Sequence, residues 1–233
     1  ESHTLHVYPV QGTIAVDAFI VANAAGQPQA EDEGGAASSF CQPNTPIERL
    51  AYTVGEWGTD YGGPVISDDG RYVAFQSLDS TLVPNDTNPV RDVFVYDRQS
   101  CVIERVSVSS SGQQANNRST GIGISADGRY VVFRSYASNL VTGDTNGQSD
   151  IFRRDRQTGT TIRVSVASNE TQGTQGSLSP AISGDGRYIT FISSNSYSAA
   201  DTNSYRDVYW HDTVTHETLL ASVSTAGIVG NQD

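Results

Sequence analysis

Three short loops of this 233-residue chain carry oxygen-bearing side chains at a constant spacing. In each loop an Asp-Thr-Asn triplet is followed, four residues after its Asn, by a second Asp. Carboxylate and amide oxygens, with backbone carbonyls between them, are ligands that suit Ca²⁺. We therefore predict calcium-binding loops at Asp86, Asn88 and Asp92, at Asp144, Asn146 and Asp150, and at Asp201, Asn203 and Asp207.

The same loops have a purely structural interpretation. Asp and Asn side chains hydrogen-bond to nearby backbone groups and form turns, and the second Asp of each loop would then accept hydrogen bonds from backbone amides. With only two carboxylates in each loop, we expect any calcium binding to be weak. The residue types alone leave both interpretations open.

The loops recur because the chain is built of repeats. A Ser-x-Asp-Gly-Arg-Tyr segment precedes each loop, and its glycines lie 58 residues apart, at Gly70, Gly128 and Gly186. Self-similarity at a fixed period of this length is typical of solenoids, propellers and arrays. The Asp-Gly pair predicts a tight hairpin turn between a first strand, at residues 64–67, 122–125 and 180–183, and a second strand that follows it.

Each unit contains short segments typical of β-strands, and none contains a sustained helical period. Four antiparallel strands joined by short turns describe a propeller blade. We predict an all-β fold, a β-propeller of four-stranded blades, with about three and a half repeats of ~58 residues in this chain. The division is N-terminal strands, a long loop and a partial blade over residues 1–57, then blade repeats over residues 58–116, 117–175 and 176–233.

The repeat pattern resembles that of a known family. A strand, Ser-x-Asp-Gly-Arg-Tyr, a strand, Asp-Thr-Asn-x-x-x-Asp, a strand and then Asp-Arg-x-x-Gly is similar to the WD40-like (PD40) β-propeller repeats of TolB-like proteins. The resemblance covers residues 62–226, and Tyr96-Asp97, Arg154-Asp155 and His211-Asp212 stand where WD40 blades carry Trp-Asp. It implies a propeller and often a secreted or periplasmic location, but no single activity, because propellers host many functions.

Repeated arginines open the second strand of each unit, and repeated aspartates close the third. Antiparallel neighbours place the start of one strand beside the end of the other. We therefore expect cross-strand ion pairs that stabilise the blades, namely Arg71–Asp97, Arg129–Asp155 and Arg187–Asp212.

The two cysteines, Cys41 and Cys101, lie in loops that precede similar segments of neighbouring units. A disulfide between them fits a secreted protein, and two unrelated thiols are the alternative. Sequons for N-glycosylation begin at Asn85, Asn117 and Asn169.

The composition narrows the partners of the chain. Its formal net charge is −12, from 26 acidic and 14 basic residues, so nucleic acid and anionic membrane surfaces are poor partners, whereas a divalent cation is a suitable one. No apolar run has the length of a membrane span. The possible disulfide and the resemblance to TolB-like proteins both imply a secreted protein, extracellular or periplasmic.

An enzymatic function has little support in the sequence. The chain has no Gly-x-Ser-x-Gly elbow, no His-Glu-x-x-His and no phosphate-binding glycine loop. The prominent acids are repeated, whereas an active site needs a unique constellation. We predict a non-catalytic binding or self-assembling module, whose partners are copies of itself or the rest of a longer propeller, with glycan or protein ligands. The alternative is the propeller portion of an extracellular hydrolase acting on peptides or glycans.

The sequence leaves open three ways in which the propeller ring could be completed. Propellers typically close with about four to eight blades, more than this chain supplies. A longer propeller could contain the chain, copies could pair their open edges as a closed dimer or a filament, or the N-terminal strands could complete a four-bladed ring.

Overall fold

The computed structural model describes residues 63–230 and, further towards the N-terminus, the pairing of β1 (Phe19–Ile20) with β2 (Ile47–Glu48). The described part consists of strands and turns and contains no helix, so none that could cross a membrane. The N-terminal partial blade predicted for residues 1–57 otherwise lies outside the described residues.

Residues 63–230 form three four-stranded antiparallel sheets, which we call blades 1, 2 and 3. Blade 1 contains β3 (Val65–Ile66), β4 (Tyr72–Ser77), β5 (Asp92–Asp97) and β6 (Val102–Arg105). Blade 2 contains β7 (Ser119–Ile124), β8 (Tyr130–Ser135), β9 (Asp150–Asp155) and β10 (Thr160–Arg163). Blade 3 contains β11 (Ser177–Ile182), β12 (Tyr188–Ser193), β13 (Asp207–Asp212) and β14 (Thr218–Leu220). The predicted all-β architecture is confirmed, and each sheet lies within one predicted repeat.

The turn between the first two strands is fixed by its own side chains. In blade 1, Ser67 Oγ donates to Asp69 Oδ1 over 2.6 Å and accepts from the backbone N–H of Tyr72 over 2.9 Å. Gly70 takes a φ of +71°, which an L side chain rarely adopts. The same bonds recur in the other blades, so the Ser-x-Asp-Gly sequence encodes the hairpin locally.

Successive blades are joined by their apolar faces, which bury the core between the sheets. One buried cluster spans blades 1 and 2 and contains Val93, Val95, Val131, Phe133 and Phe152. A second spans blades 2 and 3 and contains Val132, Ile151, Ile189, Phe191 and Tyr209. Burial of this apolar area, which no blade could achieve alone, stabilises the stack.

A tyrosine–glycine contact sets the distance between neighbouring turns. The ring of Tyr72 in blade 1 lies against Gly128 of blade 2, where a Cβ atom would be only 2.1 Å from Tyr72 Cδ2. Tyr130 meets Gly186 of blade 3 in the same way. The backbone N–H of Asp68 also donates to the carbonyl of Ala126 over 3.0 Å. The turn of each blade therefore packs closely against the turn of the preceding blade.

Candidate functional site

The aspartates of the Asp-Thr-Asn loop in blade 1 are held by protein donors. Asp92 is fully buried at the start of β5, and its Oδ1 accepts from Ser107 Oγ over 2.5 Å. Gln114 Nε2 donates to Asp92 Oδ2 over 2.9 Å and to Asp86 Oδ1 over 2.7 Å. Arg105 NH1 lies 3.3 Å from Asp86 Oδ1 and 3.7 Å from Asp92 Oδ2. One amide and one guanidinium therefore serve both carboxylates.

Blade 2 repeats this arrangement with equivalent residues. Asp150 accepts from Ser165 Oγ over 2.7 Å, and Gln172 Nε2 donates to Asp150 over 3.1 Å and to Asp144 over 2.9 Å. Arg163 NH1 lies 3.7 Å from a carboxylate oxygen of each aspartate. Burial raises the pKa of Asp150, and the hydrogen bond from Ser165 and the charge of Arg163 oppose that shift. The guanidinium supplies the positive charge that the calcium interpretation assigns to a metal ion.

The asparagines of all three loops are occupied by backbone partners. Asn88 donates through Nδ2 to the carbonyl of Ala115 over 2.8 Å, and its Oδ1 accepts from Val90 N over 3.3 Å. Asn146 and Asn203 make the equivalent pairs of bonds. These amides fasten the loop to the connection that leads to the next blade, and their Oδ1 atoms accept from a backbone N–H two residues on, as the expected turns do. The expectation that the second aspartate accepts from backbone amides is wrong, because Asp92, Asp150 and Asp207 accept from serine hydroxyls, and the first two also from glutamine amides.

The aspartate pair of blade 3 has different surroundings. Asp207 Oδ1 accepts from Ser222 Oγ over 2.5 Å, but its Oδ2 is buried and has no hydrogen-bond partner among the described residues. Asp201 accepts from the hydroxyl of Tyr209, and burial together with this carboxylate raises the pKa of Tyr209. Residues 63–230 contain no cluster of three or more His, Cys, Asp or Glu side chains that could hold a metal.

The partners of the aspartates were missed by the sequence analysis, although a signal for them exists. Arg105 and Arg163 lie 58 residues apart, as do Gln114 and Gln172. They share the period of the aspartates but come from β6, β10 and the connections after them. A search for every polar residue that keeps the repeat period would have found both pairs.

The arginine and aspartate residues expected to pair across β4 and β5 lie together. Arg71 Nε donates to Asp97 Oδ1 over 2.9 Å and Arg71 NH2 to Asp97 Oδ2 over 2.7 Å, a bidentate geometry. The other two pairs, Arg129–Asp155 and Arg187–Asp212, have the same geometry. The hydrogen bond from Arg71 holds the pKa of Asp97 below its usual range.

The remaining predicted residues lie on the surface or outside the described part. Cys101 is in a disulfide, and Cys41, the other cysteine of the chain, lies outside the described residues. The sequon asparagines at 85, 117 and 169 are all exposed. Their glycosylation stays a prediction.

An open groove of about 870 Å³ lies where blade 1 leads into blade 2. One wall is the connection between β6 and β7, with Ser109, Ser110 and Gln113, and another is the loop between β8 and β9, which includes Asn139. Apolar side chains contribute to its lining, from Leu140, Val141, Ile162 and Val166. The groove therefore combines hydroxyl and amide groups with an aliphatic surface.

Comparisons with known proteins give matches only among solved structures. No protein-family model matches the chain, and no curated protein matches it. A crystal structure of TolB from Acinetobacter baumannii is 17% identical with a TM-score of 0.46, over 75% of this chain and 34% of that one. A putative TolB from Agrobacterium tumefaciens is 19% identical with a TM-score of 0.46, over 75% and 51%.

The matched proteins also include a protease. The β-propeller domain of the Trilobed protease from Pyrococcus furiosus is 14% identical with a TM-score of 0.44, over 69% of this chain and 41% of that one. The chain thus spans about a third to a half of the TolB chains, at 34% and 51% of their length. TolB proteins are the class that the repeat motif resembles.

Proposed function

We propose that this chain is a non-catalytic β-propeller module of an extracellular or periplasmic protein, and that it binds an extended peptide in the groove between blade 2 and the connection that leads into it from blade 1. The lining of the groove carries the proposal. Its hydroxyl and amide side chains match the N–H and C=O groups of a peptide backbone. Its aliphatic surface, which includes Val141 and Ile162, can receive apolar peptide side chains.

Peptide binding is tested with a library of fluorescent peptides that carry aliphatic residues, measured by anisotropy. Gln113→Ala and Thr142→Ala remove exposed polar groups of the groove, and each is expected to weaken binding about 3- to 10-fold, as one hydrogen bond predicts. Thr202→Ala, at an exposed residue outside the groove lining, is the matched control and should bind as the parent does.

Two results would contradict this proposal. Equal affinity of all three variants would remove the groove as the site, and binding of oligosaccharides in place of peptides would change the ligand class. Cleavage of the bound peptides would support the alternative function, the propeller portion of a hydrolase.

We infer self-association as a second function from the unlike outer faces of the three described blades. Tyr188 of blade 3 is equivalent to Tyr72 and Tyr130 but is 38% exposed. At the opposite end of the described residues, no described tyrosine ring lies near the Cβ position of Gly70, and the nearest described atom is Arg98 NH1 at 3.8 Å. Tyr188 of one copy is therefore complementary to Gly70 of a second copy, through the contact that already joins the blades.

Light scattering over a concentration series tests this association. We expect the mean mass to rise with concentration, and Tyr188→Glu to prevent the rise because it places a charge at the contact. Val214→Glu changes an apolar residue that is 66% exposed in the turn between β13 and β14, and should leave association unchanged. A single monomer mass at all concentrations would contradict the inference.

We propose weak calcium binding as a third function. It is supported by the buried Oδ2 atom of Asp207 in blade 3, which has no hydrogen-bond partner among the described residues.

A further inference from the structure

Blade 3 has no residue equivalent to the arginine that lies beside the aspartate pair in blades 1 and 2. Strand register puts Leu220 opposite Tyr209, as it puts Arg105 opposite Phe94. The isolated bridges put Val229 at the position of Gln114. Blade 3 thus differs from blades 1 and 2 at three equivalent positions. Leu220 stands at the position of Arg105 and Arg163, Val229 at that of Gln114 and Gln172, and Tyr209 at that of Phe94 and Phe152.

The three differences leave the third pair with more uncompensated charge. In blades 1 and 2 two carboxylates face one guanidinium and one amide donor. In blade 3 both of these positions hold aliphatic side chains, and the new hydroxyl of Tyr209 is a neutral donor that reaches Asp201. The hydroxyl of Tyr209 supplies a hydrogen bond to Asp201, but it carries no positive charge to balance either Asp201 or Asp207.

One oxygen of Asp207 lacks the donor that the equivalent oxygens have in blades 1 and 2. Asp92 Oδ2 and Asp150 Oδ2 accept from Gln114 and Gln172, whereas Asp207 Oδ2 has no partner among the described residues. Asp207 is only 2% exposed. A buried carboxylate oxygen without a hydrogen-bond donor is costly, and buried charges in proteins are paired or coordinate a metal ion.

We propose that the Asp201–Asp207 pair of blade 3 binds one Ca²⁺, and that the aspartate pairs of blades 1 and 2 do not. The ion takes the place that a guanidinium holds in the other two blades. Carboxylate oxygens are the ligands that Ca²⁺ prefers, and water can complete its flexible shell. The inference rests on the calcium part of the proposed function and is independent of peptide binding in the groove.

Isothermal titration of the metal-free protein with CaCl₂ tests this assignment, together with thermal unfolding in EDTA and in Ca²⁺. We expect one ion for each chain and an unfolding temperature that rises with Ca²⁺ concentration, because ligand binding stabilises the folded state by mass action. Asp207→Asn should abolish both responses. Asp86→Asn, at the equivalent of Asp201 in blade 1, should keep them and is the matched control.

The double variant Leu220→Arg/Val229→Gln gives a second readout that does not weaken the fold by removing a carboxylate. It gives blade 3 the arginine and the glutamine of blade 1 and keeps Tyr209. We therefore expect no calcium response and an unfolding temperature in EDTA at least as high as that of the parent. Zero or three ions for each chain, or a calcium response that survives in this variant, would overturn the proposal. None of these results would alter the peptide-binding test, so the two proposals fail separately.

Discussion

Replacing Gly128 with Ala is expected to lower the free energy of unfolding by about 2–5 kcal/mol, the sum of backbone strain and overpacking. Gly128 has a φ of +70°, which penalises any L side chain. The new methyl would also lie 2.1 Å from Tyr72 Cδ2 and 2.6 Å from its Cγ, so the ring would have to move. Arg156 stacks on that ring, 4.3 Å from its centroid, and would be displaced with it.

Gly143→Ala separates the two causes. Gly143 has a similar φ of +78°, but no atom lies within 4 Å of its Cβ position. This control should lose only about 1–2 kcal/mol, the cost of backbone strain. Urea unfolding of the parent and both variants gives the three free energies. Equal losses at the two glycines would show that the contact with Tyr72 does not fix the spacing of the blades.

Replacing Arg163 with Leu is expected to cost about 3–5 kcal/mol at pH 7, because it leaves buried carboxylates without their counter-charge. Arg163 NH1 lies 3.7 Å from both Asp144 and Asp150, and the arginine side chain is 10% exposed. Chemical denaturation at pH 7 measures the loss. A loss below about 1 kcal/mol, the value of a surface ion pair, would contradict a buried role for this guanidinium.

The pH dependence of the Arg163→Leu variant gives a second check. Burial raises the pKa of Asp150 in the folded protein, and removal of the opposing guanidinium raises it further. A carboxyl whose pKa is raised by folding takes up a proton in the folded state first, so lowering the pH stabilises that state. We therefore expect the deficit of the variant to shrink as the pH falls from 7 towards about 3.9, the ordinary pKa of Asp.

Blade 3 supplies the compensating change for this variant. Tyr209 stands where blade 2 has Phe152, and its hydroxyl donates to Asp201. The double variant Arg163→Leu/Phe152→Tyr gives Asp144 an equivalent neutral donor, and it should recover part of the loss. A double variant no more stable than the single one would show that the hydroxyl does not compensate for the missing guanidinium.

Features of the fold that are encoded by neighbouring residues could be predicted from the sequence. The Ser-x-Asp-Gly turn closes through bonds within its own segment, so its sequence predicts a hairpin. The antiparallel pairing of β4 with β5 was expected because the two strands follow one another in the chain. It places Tyr72 opposite Asp97, which brings Arg71 within reach of the carboxylate.

Two features were not predicted, one because it joins segments that are far apart in the sequence and one because a strand is irregular. The surroundings of Asp92 include Gln114, 22 residues further on, beyond another strand. The first strand of blade 2 runs from Ser119 to Ile124, whereas the sequence predicts residues 122–125. The strand continues through a bulge between Thr120 and Ile122. The bulge interrupts the alternation of buried and exposed residues, so the sequence pattern does not indicate the longer strand.

The tyrosine–glycine contact also bears on how such a chain can change in length. Each unit carries both halves of the joint, a tyrosine that faces the following unit and a glycine that receives the ring of the preceding one. Duplication or deletion of one whole 58-residue unit therefore creates no new kind of junction. A unit lacking either residue could stand only at one end of a series. The residues that permit growth by duplication are thus those at the joints.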